Sequence, residues 1–145
     1  MEDPVAAIVT VLGSWTKANT DNIKPEIGPV FNYKRVDTAY NDFVLVYSVT
    51  HNENPASIGY SQIDYKDVVS IDIRTSYGNS LASGRAHLIK LRDEARRLVY
   101  ASKTTLGGYR QAKIMNVQDL SDKSVGLWRM VVDVELWKVI TDVPS

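Results

Sequence analysis

The chain has 145 residues, 44% hydrophobic and 23% charged, with 17 basic and 17 acidic side chains and no cysteine. This size and balance predict one soluble globular domain over residues 1–145. They exclude disulfides, thiolate nucleophiles and cysteine-ligated metals, argue against a surface that reads nucleic acid, and leave no apolar run near the roughly 20 residues of a membrane span. The chain starts with Met1, Glu2 and Asp3, whereas a secretory signal starts with positive charge, so we expect the protein to be made and used in the cytoplasm.

Charge is divided unevenly between the two halves. Residues 1–78 carry six basic and ten acidic side chains, a net of −4, and residues 79–145 carry eleven and seven, a net of +4. Opposite surface charges attract each other and fix the register between partners. This division favours a contact between copies of the chain.

The first predicted element is an N-terminal helix from Pro4 to about Ala18. Asp3 precedes the proline, and this pair is typical of a helix start because the carboxylate accepts from unpaired amides. Apolar residues then recur at helical spacing as far as Trp15. This stripe is expected to face the core.

Residues 19–42 form a long connection in which periodicity fades and prolines and a glycine interrupt the pattern. Residues 30–36 are a predicted edge strand within it. Its aromatic side chains are candidates for binding a partner or for covering the domain's own core, and the two roles stay equally open: Phe31, Tyr33 and Tyr40.

Two strands are predicted next, at residues 43–50 and 68–75. The first is apolar on both faces at its start, which predicts cover on both sides. In the second, Val69, Ile71 and Ile73 alternate with polar residues and therefore share one face.

The span between these strands is too long for a tight hairpin. Residues 51–55 have the composition of a turn, and a protruding loop or short extra hairpin is expected near residues 57–65. Tyr60 and Tyr65 in this region are candidates for contacting a partner.

A long amphipathic helix is predicted from a cap at Asn79 or Ser80 to about Ser102. Residues from Leu81 to Leu98 recur at spacings of three and four and form the buried stripe. The other face is interpreted as solvated, or alternatively as meeting an acidic neighbour. Its charged residues are Arg85, Lys90, Arg92, Asp93, Glu94, Arg96 and Arg97.

Two last strands, at residues 109–119 and 125–140, are predicted to be joined by a turn. Alternate residues from Trp128 to Leu136 belong in the core, whereas Trp137 lies on the mixed face, where a large aromatic favours an interface. The elements predict an α+β fold: a small mixed or antiparallel sheet of four to five strands, packed against an N-terminal helix and a long central helix.

Residues suited to catalysis are scarce. His51 and His87 have no second histidine or carboxylate at ligand spacing, which favours structural or surface roles. Ser80 stands between a strand and a helix like a hydrolase nucleophile but has no base in reach, so a cap is expected. Asp72 and Asp133 are expected to be solvated. With no phosphate-binding glycine loop either, we expect no enzymatic activity, metal or cofactor.

The chain resembles the tail terminator (tail completion) proteins of long-tailed viruses of bacteria and archaea. Three segments carry the resemblance: the alternating strand of residues 68–74, the helix of residues 85–100 with its Arg-Asp-Glu-Ala-Arg-Arg core, and the Trp-bearing strand of residues 126–134. It is a likeness of element order over residues 4–140, and it departs from the family's pattern at residues 19–42.

The resemblance implies a structural protein of the virion tail and neck, assembled in the host cytoplasm. Members of that family form a hexameric ring that caps the tail tube and joins it to the neck connector below the capsid. The expected partners are further copies of the chain and the tube and neck proteins. The passing genome is surrounded without being read.

A ring needs head-to-tail contacts, in which a basic surface of one copy meets an acidic surface of the next. The interface candidates are Arg85, Arg92 and Arg96 on the basic side, Asp64, Asp67 and Asp72 on the acidic side, and Trp137. The alternative function is a small α+β protein-binding domain or an accessory subunit of a cellular complex. A sixfold assembly in solution distinguishes the two.

Overall fold

The computed structural model describes residues 3–29, 41–55, 62–76, 81–103, 109–122 and 127–141. Its elements are α1 (Pro4–Leu12), a 3₁₀ turn (Lys17–Asn19), β1 (Glu26–Gly28), β2 (Asn41–Pro55), β3 (Gln62–Ser76), α2 (Leu81–Ala101), β4 (Gln111–Asp119) and β5 (Leu127–Thr141). The strands form one sheet in the order β1-β2-β3-β5-β4. β1 runs parallel to β2 and the other neighbours are antiparallel. The predicted α+β fold, with a mixed sheet and two helices, is confirmed.

The core lies between the two helices and one face of the sheet, which we call the helix face. Side chains alternate along a strand, so every second residue points into this core. Val69, Ile71 and Ile73 of β3 are fully buried, as their alternation predicts. The core residues of the neighbouring strand β5 are Trp128, Met130, Val132, Val134 and Leu136.

Helix α1 begins as predicted and ends earlier. Asp3 Oδ1 accepts from the Val5 amide at 3.0 Å. The helix stops at Leu12 and not at Ala18, because Gly13 caps it and has weak helix propensity. Trp15 nevertheless belongs to the core cluster. Its indole N–H donates to Thr20 Oγ1 at 3.0 Å and so fixes the connection that follows α1.

Strands β2 and β3 form one long hairpin of two 15-residue strands. The pairing continues as far as Pro55 opposite Ile63, so the turn predicted at residues 51–55 is wrong. The ladder supplies hydrogen bonds that override the poor strand propensity of asparagine and proline. Gln62 to Tyr65 also belong to this hairpin and form no separate one, while residues 56–61 lie outside the described residues.

The prediction that β2 is covered on both sides is wrong for its second half. Val44 and Val46 are buried against the helices. On the opposite face Leu45 and Tyr47 are only half-buried, and Val49, at a β-bulge, is 52% exposed. We call this opposite side of the sheet the second face.

Several predictions concern residues outside the described ranges. These are the edge strand at residues 30–36, the cap at Asn79 or Ser80, and the aromatic candidates Phe31, Tyr33, Tyr40 and Tyr60. On the side of β2 away from β3, the described neighbour is the short β1, which pairs with β2 only at Phe43 to Leu45.

The sheet continues beyond the part that the helices cover. Residues 51–55 of β2, 62–66 of β3 and 137–141 of β5 pair with one another. Among the side chains described in these segments, those of residues 51–53, 63–66, 137 and 138, none belongs to the core cluster. At about 3.3 Å per residue the three segments extend the sheet by about 16 Å. We call them the sheet extension.

Candidate interaction surface

His87 is buried between two carboxylates. Its Nε2 lies 2.7 Å from Asp42 Oδ2 and its Nδ1 lies 2.6 Å from Asp21 Oδ2. Burial alone lowers the pKa of His87, but the hydrogen bonds to Asp42 and Asp21 outweigh it and the pKa is raised. Below the raised pKa both ring nitrogens donate, as they do in an imidazolium.

This chain of charges, buried at His87 and Asp42, continues at both ends. Lys90 Nζ donates to Asp21 Oδ1 at 2.6 Å, and the Thr75 hydroxyl donates to Asp42 Oδ1 at 2.6 Å. The carboxylates lie at opposite nitrogens of His87, so they do not converge on a metal position. Thr75 donates to the carboxylate and not to the imidazole, which is not the arrangement of an activated nucleophile. The chain fastens α2 to β2, β3 and the turn before β1.

His51 has a similar pair of partners at the base of the sheet extension. Its Nδ1 contacts Asp67 Oδ1 and its Nε2 lies 2.9 Å from Glu53 Oε1. These hydrogen bonds, that to Glu53 first and that to Asp67 second, raise the pKa of His51. Tyr109 donates to the other oxygen of Asp67 at 2.8 Å, and the ring of Tyr65 lies 5.8 Å from that of His51.

Both histidines thus have carboxylate partners, although the sequence shows no carboxylate at metal-ligand spacing from either of them. Each has two, and the carboxylates that approach His87 come from residues remote in the sequence. Local spacing does not reveal such pairs because strand register and the path of the connection bring them together. The ring nitrogens of both histidines are occupied by partners within the fold.

On the second face, Asp72 is held by two arginines. Arg74 donates from Nε and Nη2 at 3.3 and 3.0 Å, and Arg129 donates from the same atoms at 3.0 and 2.9 Å. Burial raises the pKa of Asp72, but both guanidinium groups outweigh it and the pKa is lowered. The expectation that Asp72 is solvated is wrong, since the residue is 1% exposed. Asp133, half-buried, accepts from Ser70 Oγ at 2.6 Å.

The acidic interface candidates differ in what they present to a neighbour. Asp67 and Asp72 are each 1% exposed and their oxygens are taken by partners within the subunit. Asp64 is half-buried on the second face. Only Asp64 of the three offers a carboxylate to another molecule.

Asp64 and Trp137 line the same depression at the start of the sheet extension. The register places Lys66 beside Trp137, and Trp137 beside Gln111 of β4. With Glu135 these side chains enclose an open cavity of about 370 Å³. Sequence analysis identified Asp64 and Trp137 separately, whereas Lys66, Gln111 and Glu135 were missed because they join the site only through strand register.

The basic candidates lie on the side of α2 away from the core. Arg85 pairs with Asp119 at 3.4 Å and Arg92 with Asp93 at 2.9 Å. Arg96, half-buried, forms no ion pair with any residue in the described part of the chain. These arginines stand on the opposite side of the sheet from the cavity at Trp137.

Glu94 was wrongly placed on the solvated helix face. It is 2% exposed and is covered by the connection after α1. Its Oε2 accepts from the Thr16 amide at 3.2 Å and from Asn19 Nδ2 at 3.0 Å, and its Oε1 accepts from Arg97. Glu94 therefore anchors the connection to α2.

Among the described residues, no group of three or more histidine, cysteine or acidic side chains is arranged to hold a metal ion. Within the same ranges, no helix is both long and apolar enough to cross a bilayer. No protein-family model matches the chain, and no curated protein matches its sequence.

Proposed function

We propose that this protein is a structural subunit of the tail and neck of a long-tailed virus. Copies associate head to tail into a hexameric ring, which caps the tail tube and joins it to the neck connector. The genome passes through without being read. This role requires no catalytic step, metal or cofactor.

The order of elements supports the proposal. The resemblance implies an N-terminal helix, a small mixed sheet and a second helix, and the described fold has this composition. One fold can host many functions, so the proposal also needs support from a feature of the surface.

The sheet extension is the observation on which the proposal depends. The side chains described in its three strand segments, those of residues 51–53, 63–66, 137 and 138, contribute nothing to the core cluster, so their burial does not explain why the strands continue beyond the helices. Extended strands with half-buried side chains and an open cavity offer area to another protein. A subunit that acts through contacts has a use for such a structure.

The positions of the charged groups fit a ring. The arginines of α2 lie on the helix side of the sheet and the cavity with Asp64 lies on the second face, so a contact between them joins different surfaces of two copies. Such heterologous contacts close into rings when the rotation between subunits permits. Two copies related by a twofold axis would instead use the same surface twice.

The test is the mass in solution of the protein and of the double variant Arg92→Glu/Arg96→Glu, measured by light scattering over a concentration series. We expect six copies for the parent and a folded monomer for the variant, because reversing both charges repels the acidic side of the neighbour. Lys17→Glu/Lys24→Glu, two charge reversals at exposed residues before β1, is the matched control and should assemble normally.

Two results would contradict the proposal. A parent protein that stays monomeric or dimeric at every concentration would favour the alternative, a small protein-binding domain or accessory subunit of a cellular complex. A double variant with an unaltered oligomer would show that the arginines of α2 do not form the contact.

A further inference from the structure

We infer that the cavity at Trp137 receives the guanidinium group of Arg96 from the neighbouring copy. The inference rests on the proposed head-to-tail assembly and names the residue that enters the site. The occupant is thus a second copy of this chain, bound through helix α2.

The chemistry of the cavity suits a guanidinium group. The indole of Trp137 gives a flat aromatic face, and a planar arginine stacks on such a face better than a lysine ammonium does. Asp64 and Glu135 add two carboxylates that accept its N–H groups. Gln111 contributes an amide oxygen, a further acceptor for the same donor-rich group.

The charge balance of the cavity also fits one arginine. Among the described residues, its lining holds two carboxylates and one ammonium group, that of Lys66, which together give a net charge of −1. Neither Asp64 nor Glu135 forms an ion pair with another described residue. One incoming guanidinium group therefore neutralises the site.

Arg96 is the cation of α2 that best supplies this charge. Lys90 pairs with Asp21, Arg92 with Asp93 and Arg97 with Glu94, and Arg85 pairs with Asp119. Arg96 has no such partner within the described ranges. It faces away from the core and lies one helical turn beyond Arg92, on the same side of the helix.

The two sites lie on opposite sides of one subunit, so no copy can satisfy its own cavity with its own Arg96. Asp64 and Lys66 share the face of β3 that carries Asp72, opposite to the buried Val69. Trp137 likewise points away from Leu136, which is fully buried against the helices. The contact must be made between copies, and each copy has one site of each kind.

A charge exchange tests the pairing directly. Glu135→Arg and Arg96→Glu should each raise the concentration at half-assembly about tenfold or more, and the double variant should regain most of this loss because the ion pair is restored in reverse. Glu26→Arg, the same charge reversal at an exposed residue of β1 outside the cavity, is the control and should assemble like the parent.

Trp137→Phe and Trp137→Leu add a test of the aromatic contact. Assembly should weaken in the order parent, Phe, Leu, since the face available to a cation decreases in that order. Thermal unfolding shows whether Glu135→Arg folds. If it does not, Glu135→Gln and Asp64→Asn replace it in the test. They remove one charge each at half-buried sites and should weaken assembly in the same direction.

The outcomes separate this inference from the proposed function. A ring that forms normally with Glu135→Arg or Glu135→Gln, or single variants whose losses merely add in the double variant, would overturn the Arg96 pairing and leave the ring in place. A parent that does not self-associate would overturn both.

Discussion

Trp128 occupies the space that a side chain at position 84 would need. A Cβ atom on Gly84 would lie 2.7 Å from Trp128 Cδ1 and closer still to Nε1. The indole is 2% exposed and packs on the helix at this point. The glycine is therefore required in the first turn of α2, although glycine is an unfavourable residue in a helix.

Gly84→Ala should destabilise the fold by about 2 kcal/mol, because the overlap with the buried indole outweighs the helix propensity that alanine gains. Chemical denaturation measures the free energy of unfolding. The double variant Gly84→Ala/Trp128→Leu should lose much less than the sum of the two single changes. An alanine variant as stable as the parent would contradict the tight packing of Trp128 on α2.

Stability should depend on pH through His87. Its pKa is raised above the ordinary value of 6.5. The stabilisation is therefore complete below that value and is lost as the pH rises through the raised pKa. The free energy of unfolding of the parent and of His87→Gln is measured between pH 5 and 9. At pH 5 the parent should be about 3 kcal/mol more stable than the variant, and this difference should shrink as the pH rises.

The comparison with a variant is necessary because His51 also has a raised pKa and titrates in the same direction. His51 is 44% exposed at its side chain, so solvent screens its contribution. His51→Gln is the matched control. If the pH dependence of the free energy of unfolding disappears in His51→Gln, the role assigned to His87 is wrong.

Asp72→Asn should cost about 3 kcal/mol, since it removes a buried charge and leaves Arg74 and Arg129 facing each other. The lowered pKa of Asp72 gives the opposite pH dependence to that of His87. Its contribution is present above the ordinary pKa of 3.8 and is lost as the pH falls through the lowered value. Acid titration of the parent measures this loss.

Asp133→Asn is the control for that experiment. It removes the same charge from a half-buried position on the second face, where the amide oxygen still accepts from Ser70. We expect its cost to stay well below that of Asp72→Asn. Equal costs would mean that the two arginines add nothing specific to Asp72.

Glu94→Ala should release the connection after α1 before the rest of the fold unfolds. Loss of a buried acceptor of three hydrogen bonds costs about 2 kcal/mol. Hydrogen exchange should become faster at the Thr16 amide, which donates to this carboxylate in the parent. Asp93→Ala, an exposed neighbour on the same helix, should leave that exchange rate unchanged.

The architecture was predictable from the sequence because the alternation of a strand and the spacing of a helix are both visible within a short segment. Alternation in β3 identified Val69, Ile71 and Ile73 as core residues, and the helical spacing identified α2. The ends of β2 were missed because Asn52 and Asn54 have turn propensity, which is overridden by pairing to β3. Local composition does not reveal that competition.

The charged clusters were not predictable for a different reason. Asp21 reaches His87 from a turn in which Asp21 and Asn22 have φ angles of 53° and 62°. Those residues tolerate this left-handed conformation, but nothing nearby in the sequence indicates what the carboxylate will contact. Likewise, the residues around Trp137 come from three strands whose alignment is a property of the whole sheet.

The position of β3 in the sheet affects how the chain folds during synthesis. β3 lies between β2, its immediate predecessor, and β5, which is translated about fifty residues later. The hairpin of β2 and β3 therefore emerges from the ribosome before β5 can pair with the free edge of β3. At that stage the apolar side chains of Val69, Ile71 and Ile73 are also not yet covered by α2. Until β5 arrives, that edge is open to pairing with other nascent chains, and a slowed translation of residues 81–126 should increase aggregation.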